Sequence, residues 1–429
     1  MNRGRFGALG SFWHPFHAGR DPPVIVVIGA GAAGFMAALQ AARAGKPVTL
    51  LERTADGGRK ILISGGGRCN VLPSELDERR FVTDSSRHTM ARMLRAWPLE
   101  EQRAFFEQSL GIPLALEPDT GKLFPASNKA REVRDALLFA TRQAGATIRF
   151  GVTVTGVSRT KEAWSVELAG GSSCRAERVI LATGGLSVPA TGSDGFGLIV
   201  ARLLGHEIHQ TYPALTPLVA EPPVHAGLAG VSLDVTLRAR DDKGREVATT
   251  GGFLFTHRGY SGPTVLDLSH LAIRSRLAGA AVAKLKVQWT PHGREAWDKL
   301  LRTQGPQAVA TVVRRELPAR LADRLLAEAT IPADRPLAQL GKDERRVLVG
   351  LLTDYELPWT GDEGYKKAEV TGGGVALSEV NPETLESRRC PGLFFCGEML
   401  DAFGPIGGHN FAWAWATGRA AARGAAAPG

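Results

Sequence analysis

Three glycines and one acidic residue near the start of the chain have the spacing of a nucleotide site. Residues 24–34 read "VIVVIGAGAAG", so a predicted strand runs into Gly29, Gly31 and Gly34. A predicted helix and a second strand, "KPVTLLE", follow, and that strand ends at Glu52. The glycines permit a tight turn, close approach of a pyrophosphate and close helix–strand packing, while the carboxylate accepts hydrogen bonds from ribose hydroxyls. The pattern predicts a dinucleotide site.

A second glycine-rich stretch, "GRKILISGGGRCN" at 58–70, follows the acid directly and indicates which dinucleotide is bound. It has no GxxxxGK[ST] pattern, which excludes the phosphate loop of nucleoside triphosphatases. Consecutive glycines bare the backbone, so a flat ring can lie against it. Arg59, Lys60 and Arg68 can offset phosphate charge. We therefore predict FAD rather than NAD. Because only one βαβ glycine fingerprint is present, NAD(P)H is expected at most as a transient electron donor.

Later segments support the same cofactor. The strand "RVILAT" leads into Thr183-Gly184-Gly185, a turn placed to close over the nucleotide, and Val154 can offer backbone groups to the adenine. Near the C-terminus, "GLFFCGEMLDAFGPIGGHNFAWAWATG" repeats the strand–turn–helix pattern, with carboxylates for the ribityl hydroxyls and a helix start for the flavin pyrimidine. The predicted cofactor-binding residues are Gly29, Gly31, Ala32, Ala33, Gly34, Glu52, Arg53, Arg59, Lys60, Ser64, Gly65, Gly66, Gly67, Arg68, Cys69, Asn70, Val154, Thr183, Gly184, Gly185, Gly397, Glu398, Asp401, Gly407, Gly408, His409, Asn410 and Phe411.

Candidate catalytic residues lie in "FTHRGYSGP" (255–263) and beside the C-terminal glycines. His257, Tyr260 and Ser261 offer a proton carrier and two hydroxyls, and His409 stands next to the predicted flavin helix. The alternative is that the glycines of 255–263 only make a turn, Ser261 caps a helix at 263–270, His257 is a surface residue and His409 is structural. Cys69 is expected to be a buried or loop cysteine. The residue pattern predicts no metal site.

Composition narrows the class of protein. The chain has 429 residues and 52 basic against 43 acidic side chains, a formal charge of +9 without blocks of like charge. This pattern permits attraction to anions but does not argue for nucleic-acid binding. No apolar run reaches the roughly 18–20 residues that span a bilayer, so no membrane partner is expected. The four cysteines form no CxxC pattern, which fits a reducing cytoplasm.

The spacing of apolar and polar residues divides the chain into segments. Residues 206–290 alternate apolar and polar positions, whereas 293–355 show helical spacing. We predict a flexible leader (1–21), the first part of an FAD-binding domain (22–197), an inserted β domain for substrate (198–291), a helical subdomain (292–358), and a return strand with the second part of the FAD-binding domain (359–425). The fold class is α/β, a Rossmann-like FAD-binding domain with an inserted antiparallel β domain and a small helical subdomain.

With these motifs in place, the chain resembles the BaiN/YhiN-like, aminoacetone-oxidase-type FAD-binding flavoproteins. "VIGAGAAG", "GRKILISGGGRCN", "GKLFPASNKA", "ATGGLSVPATGSDGFG", "FTHRGYSGPTVLDLS" and "CGEMLDAFGPIGGHNFAWAWATG" match in the expected order from residue 24 to 420. "GGHNFAWAWATG" departs from the commoner family pattern, which indicates a subgroup. The resemblance implies non-covalent FAD in a fold of the two-dinucleotide-binding-domain flavoprotein type.

The predicted function is an FAD-dependent oxidoreductase that passes hydride between the flavin and a small organic substrate. Both directions stay open: reduction of an activated C=C bond, or oxidation of an amine. The alternatives are a flavoprotein acting on tRNA and a flavin redox sensor without turnover. The sequence predicts neither the substrate nor the oligomeric state.

Overall fold

The computed structural model describes residues 25–161, 163–279, 282–302 and 306–428. The predicted leader, 1–21, lies outside these residues. The described strands are, in chain order, β1 (Ile25–Ile28), β2 (Val48–Leu51), β3 (Leu72–Pro73), β4 (Leu114–Glu117), β5 (Lys122–Pro125), β6 (Thr147–Arg149), β7 (Val154–Arg159), β8 (Trp164–Leu168), β9 (Ser173–Ala176), β10 (Arg178–Leu181), β11 (Ile208–Ala214), β12 (Leu218–Val219), β13 (Ser232–Arg240), β14 (Glu246–Phe255), β15 (Gly259–Ser261), β16 (Lys286–Gln288), β17 (Tyr355–Glu356), β18 (Gly361–Asp362), β19 (Val370–Val375) and β20 (Leu393–Phe395).

The α-helices of the same residues are α1 (Ala32–Arg43), α2 (Arg59–Ile63), α3 (Arg87–Arg95), α4 (Leu99–Ala104), α5 (Ala130–Gln143), α6 (Phe196–Leu203), α7 (Pro263–Leu277), α8 (Arg294–Leu300), α9 (Val309–Glu316), α10 (Ala319–Glu328), α11 (Lys342–Thr353) and α12 (His409–Ala426). Within the part of the chain that the structure covers, no helix combines the length and apolar character needed to cross a membrane.

A parallel sheet in the order β20-β10-β1-β2-β6 carries the nucleotide motifs. All four residues of β1 are buried apolar residues, as parallel strands covered on both faces require. The glycines then let α1 pack closely, because a Cβ atom at Gly34 would lie 1.7 Å from the Gly29 carbonyl oxygen. Likewise, a Cβ atom at Gly418 on α12 would lie 2.5 Å from the Ala33 carbonyl oxygen. The helices α1 and α12 therefore meet over this sheet.

The segment between the two parts of the sheet domain forms a second layer. Its sheet has the order β17-β16-β13-β14-β15-β12-β18 with antiparallel pairs. The helix α7 interrupts the alternating pattern and extends to Leu277, and Gly262 rather than Ser261 is its N-cap. Apolar side chains of this sheet and of α8–α11 share one hydrophobic core, which includes Phe253, Trp297 and Leu348. We refer to residues 206–362 as the insert.

Candidate functional site

A long cavity lies where β1 and β10 end, against residues of the insert. Its volume is about 420 Å³, which lies within the roughly 300–1,000 Å³ of most small-molecule sites. Most of the predicted cofactor-binding residues line it: Gly29, Gly31, Ala32, Ala33, Glu52, Arg53, Arg59, Lys60, Ser64, Gly65, Gly66, Asn70, Val154, Thr183, Gly184, Gly397, Glu398, Gly407, Gly408, Asn410 and Phe411. Segments distant in the sequence thus share one cavity.

Two glycines leave room for a ligand against the backbone. A Cβ atom at Gly31 or Gly66 would meet no protein atom within 4 Å, although both residues line the cavity. Gly31 is the N-cap of α1, where unpaired backbone N–H groups and the helix dipole favour an anion. Gly65, Gly66 and Gly67 have φ values of 56°, 67° and 87°, so the triple glycine is a left-handed turn that ordinary residues adopt at a cost.

Glu52 is held in place by the backbone around it. Its Oε2 accepts a hydrogen bond from Ala30 N, and its Oε1 accepts from Thr54 N, each at 2.7 Å. The residue is 8% exposed and borders the cavity. Each carboxylate oxygen accepts about two hydrogen bonds, so Oε2 keeps a lone pair for a ligand hydroxyl. This arrangement fits the ribose of a dinucleotide.

Asn70 supplies an independent test of the fit to a cofactor. Its Oδ1 atom is buried and has no hydrogen-bond partner among the described residues. The residue borders the cavity beside Gly65. A buried amide oxygen without a partner costs about 1–3 kcal/mol, so a bound group with an N–H or O–H donor stabilises this arrangement. The isoalloxazine ring and ribityl chain of FAD provide both kinds of donor.

The predicted basic residues have carboxylate partners within the protein. Lys60 Nζ lies 2.6 Å from Glu398 Oε2, Arg59 Nε lies 2.8 Å from Asp56 Oδ1, and Arg68 Nη1 lies 2.9 Å from Glu117 Oε1. Arg53 pairs with Asp194. Glu398 also accepts hydrogen bonds from Thr371 N and Oγ1, at 3.0 and 2.9 Å, and from the Ser187 hydroxyl. These groups fix the cavity walls as well as its charge.

Seven predicted cofactor-binding residues lie outside the cavity lining: Gly34, Gly67, Arg68, Cys69, Gly185, Asp401 and His409. Asp401 is buried and accepts hydrogen bonds from Asp84 N at 3.0 Å and from Ser85 N at 2.8 Å, so its carboxylate holds that loop. Burial raises the pKa of Asp401. Cys69 is fully buried, and burial raises the pKa of its thiol to about 12, so the thiol stays protonated at neutral pH.

The residues of "FTHRGYSGP" also lie outside that lining. Tyr260 is in the core of the insert, and its hydroxyl is 2.8 Å from Nδ1 of buried His225. Burial raises the pKa of Tyr260. His257 is exposed, and Ser261 is part of β15. Gly259 of this motif is required for close strand packing, because a Cβ atom at this position would lie 2.3 Å from the Leu218 carbonyl oxygen.

His409 is 5% exposed at the first position of α12. Its Nδ1 is 3.2 Å from the Ile406 carbonyl oxygen, which it contacts as a donor, and its Nε2 is buried without a partner among the described residues. Burial lowers the pKa of His409 to about 4. The imidazole is therefore neutral at physiological pH.

Sequence reasoning missed a compartment at the insert end of the cavity. Two charged residues, Lys122 and Glu369, line it together with apolar side chains. The apolar members are Leu215, Leu266, Val370, Phe403 and Ile406. Lys122 stands in the motif "GKLFPASNKA", and Glu369 directly precedes β19. Only the fold places them together, because no local pattern joins 122 with 369.

The glycine turn, the placed carboxylate and the long cavity define an FAD-dependent oxidoreductase with a Rossmann-like FAD-binding domain. The chain belongs to the family described as "HI0933-like protein Rossmann domain", whose sequence profile matches residues 23–424. Family and fold class were both predicted from the motifs, and both are confirmed.

Two curated relatives and one solved structure are similar over most of the chain. A ribosomal RNA dihydrouridine synthase of Escherichia coli is 32% identical over 93% of this chain and 96% of its own length. A 3-dehydro-bile acid delta(4,6)-reductase of Clostridium scindens is 33% identical over 94% and 98%. A flavocytochrome c3 fumarate reductase in its open conformation has a TM-score of 0.50 at 18% identity, covering 95% of this chain and 79% of that one. That likeness shows the fold alone.

Proposed function

We propose that this protein reduces a carbon–carbon double bond that is conjugated with a carbonyl group. The supporting observation is the reaction shared by two relatives that act on different molecules. Uracil becomes dihydrouracil when its C5=C6 bond, conjugated with the C4 carbonyl, is saturated. A delta(4,6)-reductase of a 3-oxo steroid saturates a bond conjugated with the C3 carbonyl. The chemistry is common to both, which favours reduction over amine oxidation.

The residues that would hold FAD are those whose geometry fits it. The N-terminus of α1, from Gly31 to Ala33, would take the pyrophosphate, and Glu52 a ribose. The left-handed turn at 64–67 and Asn70 would take the isoalloxazine end. Bound FAD, once reduced, supplies a hydride for the substrate. The apolar walls of the compartment exclude water from the reacting carbon atoms, which favours hydride transfer over side reactions.

We propose NAD(P)H as the source of those electrons, bound transiently. The chain carries one βαβ glycine fingerprint, at Gly29 to Gly34, so no second nucleotide domain is evident. The donor would then occupy the same compartment as the substrate, in alternation with it. This order of binding predicts competition between the oxidised donor and the substrate.

The substrate class that we favour is a uracil base in ribosomal RNA. This proposal is supported by the 32% identical relative, and the formal charge of +9 permits attraction to a polyanion. The second candidate is a polycyclic enone, supported by the 33% identical reductase. Both substrates present a flat ring with a conjugated carbonyl to an apolar compartment.

The test uses the purified holoprotein under anaerobic conditions with NADPH or NADH. One reaction contains ribosomal RNA from an Escherichia coli strain that lacks its own relative, and the other contains a 3-oxo-4,6-diene steroid. Mass spectrometry of the nucleosides and of the steroid reports the gain of two hydrogen atoms. Saturation of either substrate supports the proposal. If the flavin is bound and reduced but neither substrate gains hydrogen, the proposal is wrong, and a redox sensor fits better.

A further inference from the structure

The charged residues that line the cavity fall into two groups. Glu52 accepts backbone hydrogen bonds, and five others belong to ion pairs: Arg53 with Asp194, Arg59 with Asp56 outside the lining, and Lys60 with Glu398. Lys122 and Glu369 also line it, and among the residues that the structure describes neither has a hydrogen bond or ion pair of its side chain. Lys122 and Glu369 thus carry opposite charges in the same part of the cavity, and neither side chain has a partner among the described residues.

Both residues are fixed at their backbones. Lys122 begins β5, and its side chain runs past the glycine loop, because a Cβ atom at Gly407 would lie 3.3 Å from Lys122 Cε. Glu369 precedes β19, and its N–H donates to the Leu215 carbonyl oxygen at 3.1 Å. The strands therefore hold the two side chains at the predicted flavin end of the cavity, where the insert begins.

The surroundings of Glu369 favour its protonated form. Burial raises the pKa of Glu369, and the Glu398 carboxylate adds to this, whereas Lys60 and Lys122 oppose it. The flanking side chains are apolar, among them Leu215 and Val370. A flat substrate that fills this compartment removes further water and strengthens the same effect. The Glu369 carboxyl group, which is exposed on the cavity lining, is thus shifted toward its protonated form at the place where a reduction needs a proton.

We propose that Glu369 is the catalytic acid of this site and that Lys122 binds the carbonyl oxygen of the substrate. The inference rests on the proposed function. The reduction adds one hydride, which the reduced cofactor supplies, at the carbon β to the carbonyl. The π electron pair forms a second C–H bond at the α carbon with the proton of the Glu369 carboxyl, which becomes a carboxylate. Water returns that proton, so atoms and charge balance over the cycle.

Three other titratable groups nearby, Asp267, Asp401 and His409, lie outside the cavity lining. Asp267 accepts a hydrogen bond from Ile406 N at 2.8 Å and lies 3.6 Å from Arg80, outside the cavity lining. Asp401 holds the loop at 84–85, and His409 is a neutral imidazole outside the same lining. Of the carboxyl groups in the described residues, Glu369 is thus the one on the lining without an assigned contact.

The experiment compares E369Q and K122M with two matched controls, E363Q and K366M, which change the same charges outside the cavity lining. Each holoprotein is reduced anaerobically and mixed with 2-cyclohexen-1-one, and the returning oxidised flavin absorption is followed. We expect E369Q to slow this step about 10²–10⁴-fold with enone binding unchanged. We expect K122M to weaken binding about 10–100-fold, read from the perturbed spectrum of the oxidised protein.

The dependence of the rate on pH distinguishes a catalytic role of Glu369 from a structural one. The wild-type rate should fall as the pH rises and Glu369 ionises, whereas the E369Q rate should stay flat. Equal FAD content and melting temperature show that the variants fold. Wild-type rates and binding in both variants would overturn this inference and leave the proposed function intact. A wild-type holoprotein that reduces neither the enone nor ribosomal RNA would overturn the proposed function and the inference together.

Discussion

Lys60 and Glu398 are 338 positions apart in the chain, and Nζ of the first lies 2.6 Å from Oε2 of the second. The pair joins the start of α2 to the turn after β20, across the wall of the cavity. Its side chains are 26% and 17% exposed. The pair therefore connects the two halves of the cofactor domain in a partly dry setting, where losing one partner costs more than at the surface.

Replacing Lys60 by Met should therefore destabilise the holoprotein. We expect a loss of about 1–3 kcal/mol in the free energy of unfolding, because Glu398 keeps its charge without a cation. Urea unfolding with saturating FAD measures the change. The control is Lys367→Met, since Lys367 is exposed and outside the cavity lining. Equal stability of the two variants would show that the pair contributes nothing.

A substitution at Gly31 should weaken cofactor binding without changing the stability of the apoprotein. A Val side chain at Gly31 meets no protein atom near its Cβ and extends into the cavity. We expect Gly31→Val to retain the melting temperature of the apoprotein and to bind FAD at least about tenfold more weakly, since one or two misplaced methyl groups cost about 1–3 kcal/mol. Flavin fluorescence titration measures the affinity.

The matched control for that variant is Gly293→Val. Gly293 is also a helix N-cap with an extended backbone and no atom within 4 Å of an added Cβ atom, but it is exposed and outside the lining. This variant should bind FAD like the wild type. If Gly31→Val also binds FAD normally, the cofactor does not lie against this turn.

Glu52 should contribute to affinity through its charge. The variant Glu52→Gln offers an amide N–H₂ where one oxygen now accepts from Ala30 N or Thr54 N. We expect FAD affinity to fall about 10–100-fold, the equivalent of about 1–3 kcal/mol. Equilibrium dialysis measures it, with exposed Glu75→Gln as the control. Unchanged affinity in Glu52→Gln would argue against the assignment of this carboxylate to a ribose.

Asp267 should make stability depend on pH. Burial raises the pKa of Asp267 from 3.8 to about 6, against the opposing charges of Arg80 and Lys122 and the hydrogen bond from Ile406 N. Its stabilising contribution is therefore complete below about pH 4 and is lost as the pH rises through about 6. Relative to Asp267→Asn, the wild type should become less stable by up to about 3 kcal/mol across this window.

Urea unfolding of wild type and Asp267→Asn at about pH 4 and about pH 7.5 measures that difference. Asp119→Asn is the control, because Asp119 is exposed, and its difference from wild type should not change over this range. A constant difference for Asp267→Asn would mean that folding does not raise the pKa of Asp267.

Local patterns predicted the cofactor domain, because each motif encodes a backbone requirement. The turn requires Gly29, and the close packing of α1 requires Gly34. The left-handed backbone at 65–67 requires the triple glycine. The compartment at the insert could not be predicted in this way. Lys122 and Glu369 come together through the packing of chain segments that share no sequence pattern.

In the motif "FTHRGYSGP", by contrast, the sequence pattern indicated a site, but the fold places the motif outside the cavity lining. Its polar residues suggested chemistry, yet Tyr260 bonds to His225 inside the insert, and Gly259 is needed for strand contact. Asp401 likewise has the residue type of a ligand group but holds a loop. A sequence shows which side chains carry polar atoms. The fold decides whether those atoms face a cavity or each other.

The central claim is that reduced holoprotein passes its electrons to a conjugated double bond, and anaerobic mixing tests it most directly. The reduced protein is mixed in parallel with 2-cyclohexen-1-one, with dihydrouridine-free ribosomal RNA and with cyclohexanone, and the visible flavin absorption is recorded. We predict that the oxidised spectrum returns with the enone or the RNA, in step with the saturated product, and stays absent with cyclohexanone. A flavin that remains reduced with both unsaturated compounds would contradict the claim.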